Sequence, residues 1–330
     1  MRIAIVGAGA VGAYLGAKLS GSGEEVFLIA RGPHLQAMKV KGVRVYSPLG
    51  DFEAHPTATG NYKEIGVVDY VFLTVKAHGL TDVVSKLEPL LGPDTSVVSA
   101  QNGIPWWYFQ RHGGQWDGTH LESVDPGGKI ADSIPPERVI GCIIYPSISI
   151  LEPGVIQHVE GNRFSVGELD GITTDRCRRL ADTLNKAGLR CPIRSRIRDE
   201  LWAKLLGNLS FNPVSALTRA TLSEIATHSE ARAVIQDSMQ EVDSVARGLG
   251  VKIPVTIERR IEGAEKVGDH KTSMFQDIMA GKPIEIESLV GSVIELGEKL
   301  GVNMPHTRTI YACTKLLAQS LSKSVNSGTL

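Results

Sequence analysis

Ile3-Ala4-Ile5-Val6-Gly7-Ala8-Gly9-Ala10-Val11-Gly12 is the stretch on which the reading of the fold turns. Four apolar residues in a row predict a strand buried on both faces. The glycines then fall in the G-x-G-x-x-G spacing, and Val11–Leu19 carries helical periodicity. A bare glycine pattern says little, but one that leaves a strand and opens a helix predicts a dinucleotide site. The first glycine permits the tight turn, the second lets backbone approach a pyrophosphate, and the third allows close helix–strand packing. The helix N-terminus adds N–H donors. The loop residues Gly7, Ala8, Gly9, Ala10, Val11 and Gly12 are therefore candidate cofactor contacts.

Outward from this unit, short apolar runs alternate with helical patterns. Val26–Ala30, Val68–Val75, Ser96–Ala100 and Val139–Ile150 read as strands, the last as one or two, and Val155–His158 with Arg163–Val166 as a late hairpin. Such alternation argues for a parallel sheet of the Rossmann kind. The second strand ends at Arg31, where an NAD site usually carries Asp or Glu for the ribose 2′-hydroxyl. A guanidinium there would bind a 2′-phosphate, which favours NADP(H); a solvated arginine at a strand end is the plainer alternative. Lys39 and Lys41 could assist but read more naturally as surface. Lys76 and Asn102 follow the third and fourth strands, at the sheet edge where ligands bind in open α/β folds, although Asn102-Gly103 is also an ordinary turn pair. The stretch 103–136, with Trp106, Trp107 and Trp116, predicts a long structured loop that could border the site.

Bulk properties exclude several classes. A chain of 330 residues with 42% hydrophobic residues can build its core without disulfides or metal. A formal net charge of −1 offers no field for nucleic acid or an anionic membrane. Cys142, Cys177, Cys191 and Cys313 form no metal-type cluster and predict reduced thiols. No apolar run reaches the ~20 residues that span a bilayer. The expected location is the cytoplasm, with no metal; oligomeric state stays open, a homodimer included.

After about Ser195 the pattern becomes helical, which puts the domain boundary at 195/196. Expected helices are Ile197–Asn212, Glu230–Gly248, Ser273–Met279, Ile284–Leu300 and His306–Leu321, with Ser322–Leu330 a frayed tail. Lys204, Asn208 and Asn212 stand at i, i+4 and i+8, on one face of the first of these, and Pro213 is expected to end it. Asn is a poor interior helix residue, so the stripe faces either an enclosed site or simply water. Ser273-x-x-Gln276 has the form of a capping box. Pro283 suits a first helical turn, placing Glu285 at a positive helix end, where helix stabilisation alone would suffice to explain it.

Together these residues resemble the ketopantoate reductase (2-dehydropantoate 2-reductase) family over nearly the whole chain. The resemblance rests on Gly7–Gly12, Arg31, Thr74-Val75-Lys76, Gln101-Asn102-Gly103, Trp202-x-Lys204-x3-Asn208-x3-Asn212-Pro213, and Ser273-Met274-x-Gln276-Asp277-Ile278 leading to Glu285-Ile286-Glu287. It implies a Rossmann domain over 1–195 and, over 196–330, an all-α domain like the C-terminal part of 6-phosphogluconate dehydrogenase. It implies that NADPH reduces a 2-oxo acid, ketopantoate first, to pantoate on the route to pantothenate. Lys204 would be the general acid and Glu285 the carboxylate that engages substrate and orders Lys204. Asn208 and Asn212 would hold substrate polar groups, with Thr272 or Ser273 at its carboxylate. Lys76 and Asn102 would lie near the nicotinamide ribose, in a cleft between the domains. The longer aromatic stretch after Asn102 leaves a bulkier 2-oxo or 2-hydroxy acid open. The oxidative direction and a non-catalytic NADPH-binding regulator are further alternatives.

Overall fold

The computed structural model describes residues 1–326. The chain forms two compact units: Met1–Gln101, Pro105–His120 and Gly127–Ile197 make the first, and Asn102–Ile104, Leu121–Pro126 and Arg198 onward the second. The second unit thus takes in two short stretches from the N-terminal half of the sequence.

In unit 1 the chain runs β1 (Arg2–Val6), α1 (Ala10–Gly21), β2 (Glu25–Ile29), α2 (Gly32–Lys41), β3 (Val43–Tyr46), β4 (Phe52–Ala54), β5 (Thr57–Thr59), β6 (Tyr70–Leu73), α3 (Leu80–Val84), β7 (Ser96–Ser99), α4 (Lys129–Ser133), β8 (Val139–Ile144), β9 (Ser147–Glu152), β10 (Val155–Glu160), β11 (Phe164–Glu168) and α5 (Asp175–Lys186). Seven strands form the central sheet in the order β11-β8-β7-β6-β1-β2-β5. All pairs in it are parallel except β11 on β8. Strand order reverses between β1 and β6, so the crevice at their C-terminal ends is the natural ligand position. Gly7 follows one of these ends and Thr74–Lys76 the other.

A second sheet, β4-β3-β10-β9, was not visible in the sequence pattern. It corrects the expected late hairpin: β10 pairs with β9 and β3, while β11 pairs with β8 in the central sheet. Burial gives the reason. Every residue of β11 is buried, as suits the central sheet, whereas β10 shows the alternating burial of a strand with one face in solvent. Helix α1 packs against both sheets, and the Tyr14 ring lies 4.8 Å from that of His158.

The stretch 103–136 is not one loop. Trp106, Trp107, Tyr108 and Phe109 are buried in unit 1. A Cβ on Gly141 of β8 would stand 2.9 Å from the Trp107 ring, so glycine there makes room for the indole. Leu121–Pro126 belongs to unit 2, where the Glu295 carboxylate accepts from the Glu122 and Ser123 N–H groups and the Ser123 hydroxyl.

Unit 2 is helical: α6 (Ile197–Thr218), α7 (Leu222–Thr227), α8 (Ser229–Gly248), α9 (Ile257–Val267), α10 (Ser273–Met279), a π-helical segment Glu287–Gly291 running into α11 (Ser292–Leu300), and α12 (Pro305–Asn326). Helices α7 and α9 were missed, the first too short for periodicity to register. Four local expectations are corrected. Helix α6 continues past Pro213 to Thr218. The ring costs about 3 kcal/mol in a helix interior, and burial of Val214, Ser215 and Ala216 beyond it offsets that loss. The cap of α10 is Thr272, which accepts from Phe275 N–H at 3.2 Å, so the third helical residue is Phe275 and no Ser273–Gln276 box forms. Pro283 lies outside its expected helix, which opens at Ile286 with a π turn. Finally, Ser322–Asn326, expected to fray, continues α12; residues 327–330 of that expected tail lie outside the described residues. No helix among the described residues is long and apolar enough to cross a membrane. Cys142, Cys177 and Cys191 are buried and Cys313 exposed, none in a disulfide.

Candidate active site

The glycine loop is built by close approach. Gly7 has φ +96°, and a Cβ there would stand 2.5 Å from the Val75 side chain. A Cβ on Gly12 would meet the Thr74 hydroxyl at 2.6 Å, and one on Gly16 the Leu28 side chain at 2.4 Å, so both glycines seat α1 on the sheet. Gly9 differs: its Cβ would have only Gly7 O nearby, at 3.9 Å. That open side is what a pyrophosphate needs for backbone approach. Helix α1 carries no side-chain cap and no acidic residue in its first turn, so its N-terminal N–H groups and dipole suit an anion. The loop therefore fits a dinucleotide. Thr74, given no role of its own in the sequence reading, is its strut: the hydroxyl donates to Gly7 O at 2.9 Å.

Arg31 is exposed just beyond the end of β2 and caps α2 in extended conformation, near enough to Tyr62 for its charge to oppose the rise that burial imposes on the phenol pKa. Lys76 is half-buried at the opening of a short 3-10 turn after β6. Both stand in the crevice edge of unit 1, on the strand ends that flank the loop.

In unit 2, α6 is buried on nearly every side. Trp202, Leu205, Leu206 and Leu209 are core residues. Lys204 and Asn208 are half-buried and Asn212 is 5% exposed, so the polar stripe is not a solvated face. Lys204 Nζ donates to Asn102 Oδ1 at 2.6 Å. Asn102, read from sequence as lying beside the nicotinamide ribose, thus joins the unit that carries the lysine. Asn212 Nδ2 reaches Ser273 Oγ at 3.4 Å, the long end of hydrogen-bond range. Thr272 and Ser273 divide their roles: the Thr272 hydroxyl is buried and caps α10, while Ser273 is exposed.

Glu285 is half-buried directly before the helix that opens at Ile286, and its carbonyl accepts from Leu289 N–H at 3.3 Å. The next turn fastens the Asn102 segment: Ile104 N–H donates to Ser288 O at 2.8 Å. Asn102, Lys204 and the Glu285 turn are thereby drawn to one region of unit 2. The π-helical register that begins at Glu287 is the kind of irregularity found where function displaces regular packing. Glu287 itself is committed elsewhere: Tyr311 Oη donates to its carboxylate at 2.8 Å and Lys315 Nζ at 2.9 Å. Hydrogen bonds to Tyr311 and Glu287 push the Lys315 pKa up to about 12.

Comparison with known proteins shows the family. The family model for "Ketopantoate reductase PanE/ApbA" matches residues 3–111, and that for its C-terminal part matches 196–318. The chain belongs to the ketopantoate reductase family. A 2-dehydropantoate 2-reductase of Mesorhizobium japonicum is 46% identical over 319 residues, covering 96% of this chain and 98% of its own. A crystal structure of a Ralstonia solanacearum MolK2 protein matches with TM-score 0.92 at 38% identity, over 97% of this chain and 98% of that one. A 2-dehydropantoate 2-reductase from Geobacter metallireducens GS-15 matches with TM-score 0.85 at 27% identity, over 96% and 100% of the two chains. As in that family of oxidoreductases, an α/β sheet unit precedes a helical one. The two motifs of greatest weight, the glycine loop and the α6 stripe, fall within the two matched segments.

Proposed function

We propose that this ketopantoate reductase family member reduces a small 2-oxo acid with NADPH, 2-dehydropantoate being the first candidate, and so serves pantothenate synthesis in the cytoplasm. The observation that carries the reading is the polar stripe of α6: Lys204, Asn208 and Asn212 are withdrawn from solvent, and Lys204 is held by Asn102. A helix face of this kind is costly to bury unless it meets a polar ligand.

Bound NADPH supplies the hydride. As the ketone carbon accepts it, negative charge builds on oxygen, and Lys204 stabilises that charge and passes its proton to the oxygen, yielding the alcohol. Asn102 orients the ammonium through their hydrogen bond. Glu285 engages the substrate and helps order Lys204. Asn208, Asn212 and the Ser273 hydroxyl hold the substrate's polar groups, with Thr272 fixing the turn beneath Ser273. Gly7–Gly12 and Lys76 hold the cofactor, and Arg31 its 2′-phosphate. The test is a panel of branched 2-oxo acids, 2-dehydropantoate included, followed by loss of NADPH absorbance; protein that binds NADPH yet oxidises it with none of them would overturn the reading.

Arg31→Ala is expected to raise KM for NADPH by about 10–100-fold, the scale of losing a charge-assisted pair, and to leave KM for NADH nearly unchanged. Equal changes for both cofactors would remove Arg31 from the phosphate position.

A further inference from the structure

The π turn Glu287–Gly291 needs a physical reason, because π register is rare and confined mostly to single turns. Its backbone shows what the register does. The Ser292 N–H donates to Glu287 O, five residues back. In an α-helix it would take Ser288 O, four residues back. The Ser288 carbonyl instead accepts from Ile104 N–H and from the Ser292 hydroxyl, each at 2.8 Å. The skipped carbonyl is thus the anchor of the 102–104 segment, and Asn102 of that segment accepts from Lys204 Nζ at 2.6 Å.

What holds the turn in this register comes from α12. The Glu287 carboxylate folds back over the end of its own turn: a Cβ on Gly291 would stand 2.5 Å from Glu287 Oε2 and 3.5 Å from the Tyr311 ring. Glycine at 291 therefore leaves the space in which the carboxylate lies and α12 approaches. There Tyr311 Oη donates to the carboxylate at 2.8 Å and Lys315 Nζ at 2.9 Å, while Lys315 Nζ also donates to Tyr311 Oη at 2.8 Å. Tyr311 and Lys315 are four residues apart on α12, hence on one face of it. Returning the turn to α register would rotate Glu287 by about 100° against α11 and draw its carboxylate off both donors. The Glu287 and Lys315 side chains are each 44% exposed, so their pairing contributes little to overall stability. Its effect is on the register of the turn.

We propose that Tyr311 and Lys315 are positioning residues for Lys204: by pinning Glu287 they hold the π turn that fastens Asn102 against the ammonium. The π register keeps Ser288 O available to Ile104 N–H, and that bond sets where the Asn102 side chain stands. This rests on the reading of Lys204 as proton donor in the reduction of a 2-oxo acid. The part played by Tyr311 and Lys315 is in proton delivery and not in cofactor binding, since the glycine loop belongs to unit 1 and every residue of this chain of contacts to unit 2.

The test compares wild type with the double variant Tyr311→Phe/Lys315→Met, which keeps the ring and the stem and removes both donors; thermal melts establish that it folds. Hydrogen exchange of the Ile104 amide should quicken by about tenfold as its bond to Ser288 loosens. With NADPH and a 2-oxo acid that wild type reduces, kcat should fall about tenfold while KM for NADPH stays nearly unchanged. The alkaline limb of kcat should move to lower pH, because the Asn102 oxygen favours the charged ammonium and is now misplaced. In an Asn102→Ala background the same two changes should lower kcat no further, as expected of groups that act through one another. Unchanged exchange at Ile104 would overturn the proposal. So would a loss of kcat without the pH displacement, or one that adds in full to that of Asn102→Ala. If the double variant does not fold, Tyr311→Phe alone is judged by the same readings. Wild-type protein inert toward every 2-oxo acid would instead overturn the reductase reading, and exchange at Ile104 still decides whether α12 holds the turn.

Discussion

Lys204→Ala is expected to lower kcat by about 10²–10⁴-fold, the range in which a positioned general acid contributes. NADPH binding, followed by fluorescence titration, should stay near the wild-type value, because the glycine loop belongs to unit 1 and Lys204 to unit 2. Lys204→Arg separates the two tasks of the lysine. It retains a cation near the developing oxyanion, but a guanidinium does not give up its proton in proteins. Turnover in Lys204→Arg should therefore remain far below wild type even though charge is kept. A general acid also works only while protonated, so wild-type kcat should fall on the alkaline side, and that limb should vanish in Lys204→Ala. Turnover of Lys204→Ala within about tenfold of wild type would sink the assignment. Loss of NADPH binding would sink it equally, by showing a structural role.

The sequence and the structure divide the credit for this site along physical lines. Gly7–Gly12 was legible because a tight turn, a close strand–helix contact and an uncapped helix start each demand particular residues at fixed spacing, and all three demands appear in order. Lys204, Asn208 and Asn212 were legible as a shared helix face, since spacing alone decides that. Whether the face met water or an enclosed site was not, because burial depends on α6 being surrounded by the rest of unit 2. The second sheet escaped notice because β3 and β4 are short and half-exposed, and β10 finds one of its two partners, β3, far away in sequence. Pro213 misled because proline's local penalty is fixed while the burial that outweighs it is not local. The Trp-containing stretch 103–136 reads in a sequence as a long loop that could border the site, yet the rings of residues 106–109 fill the core of unit 1. Gly207 is, in the sequence, an unexplained glycine in the interior of α6, and only the structure shows the Arg260 side chain lying against it.

Gly103→Ala is expected to damage both stability and turnover, although residue 103 carries no chemistry. Its φ is +83°, a region that L residues rarely adopt, and a Cβ there would stand 2.2 Å from Ser288 O. That oxygen is the acceptor for Ile104 N–H at 2.8 Å, so the methyl group and the docking hydrogen bond compete for one place. Strain and the lost bond together should cost about 2–4 kcal/mol, read as a lower denaturation midpoint. Asn102 precedes the displaced residue, and its 2.6 Å contact with Lys204 depends on where this segment is fastened. Misplacing the orienting group by a fraction of an ångström should lower kcat by about tenfold or more. Gly113→Ala is the control, since Gly113 also has positive φ, +75°, but nothing within 4 Å of the added Cβ. It should show only the backbone penalty of its φ +75°, ψ 165° conformation, about 1–3 kcal/mol, and wild-type kcat. If Gly103→Ala behaves like Gly113→Ala in both measurements, the docking of Asn102 on the Ser288 turn does not control the lysine. If it alone loses turnover, the glycine after Asn102 serves as the fastening point that keeps Lys204 aimed.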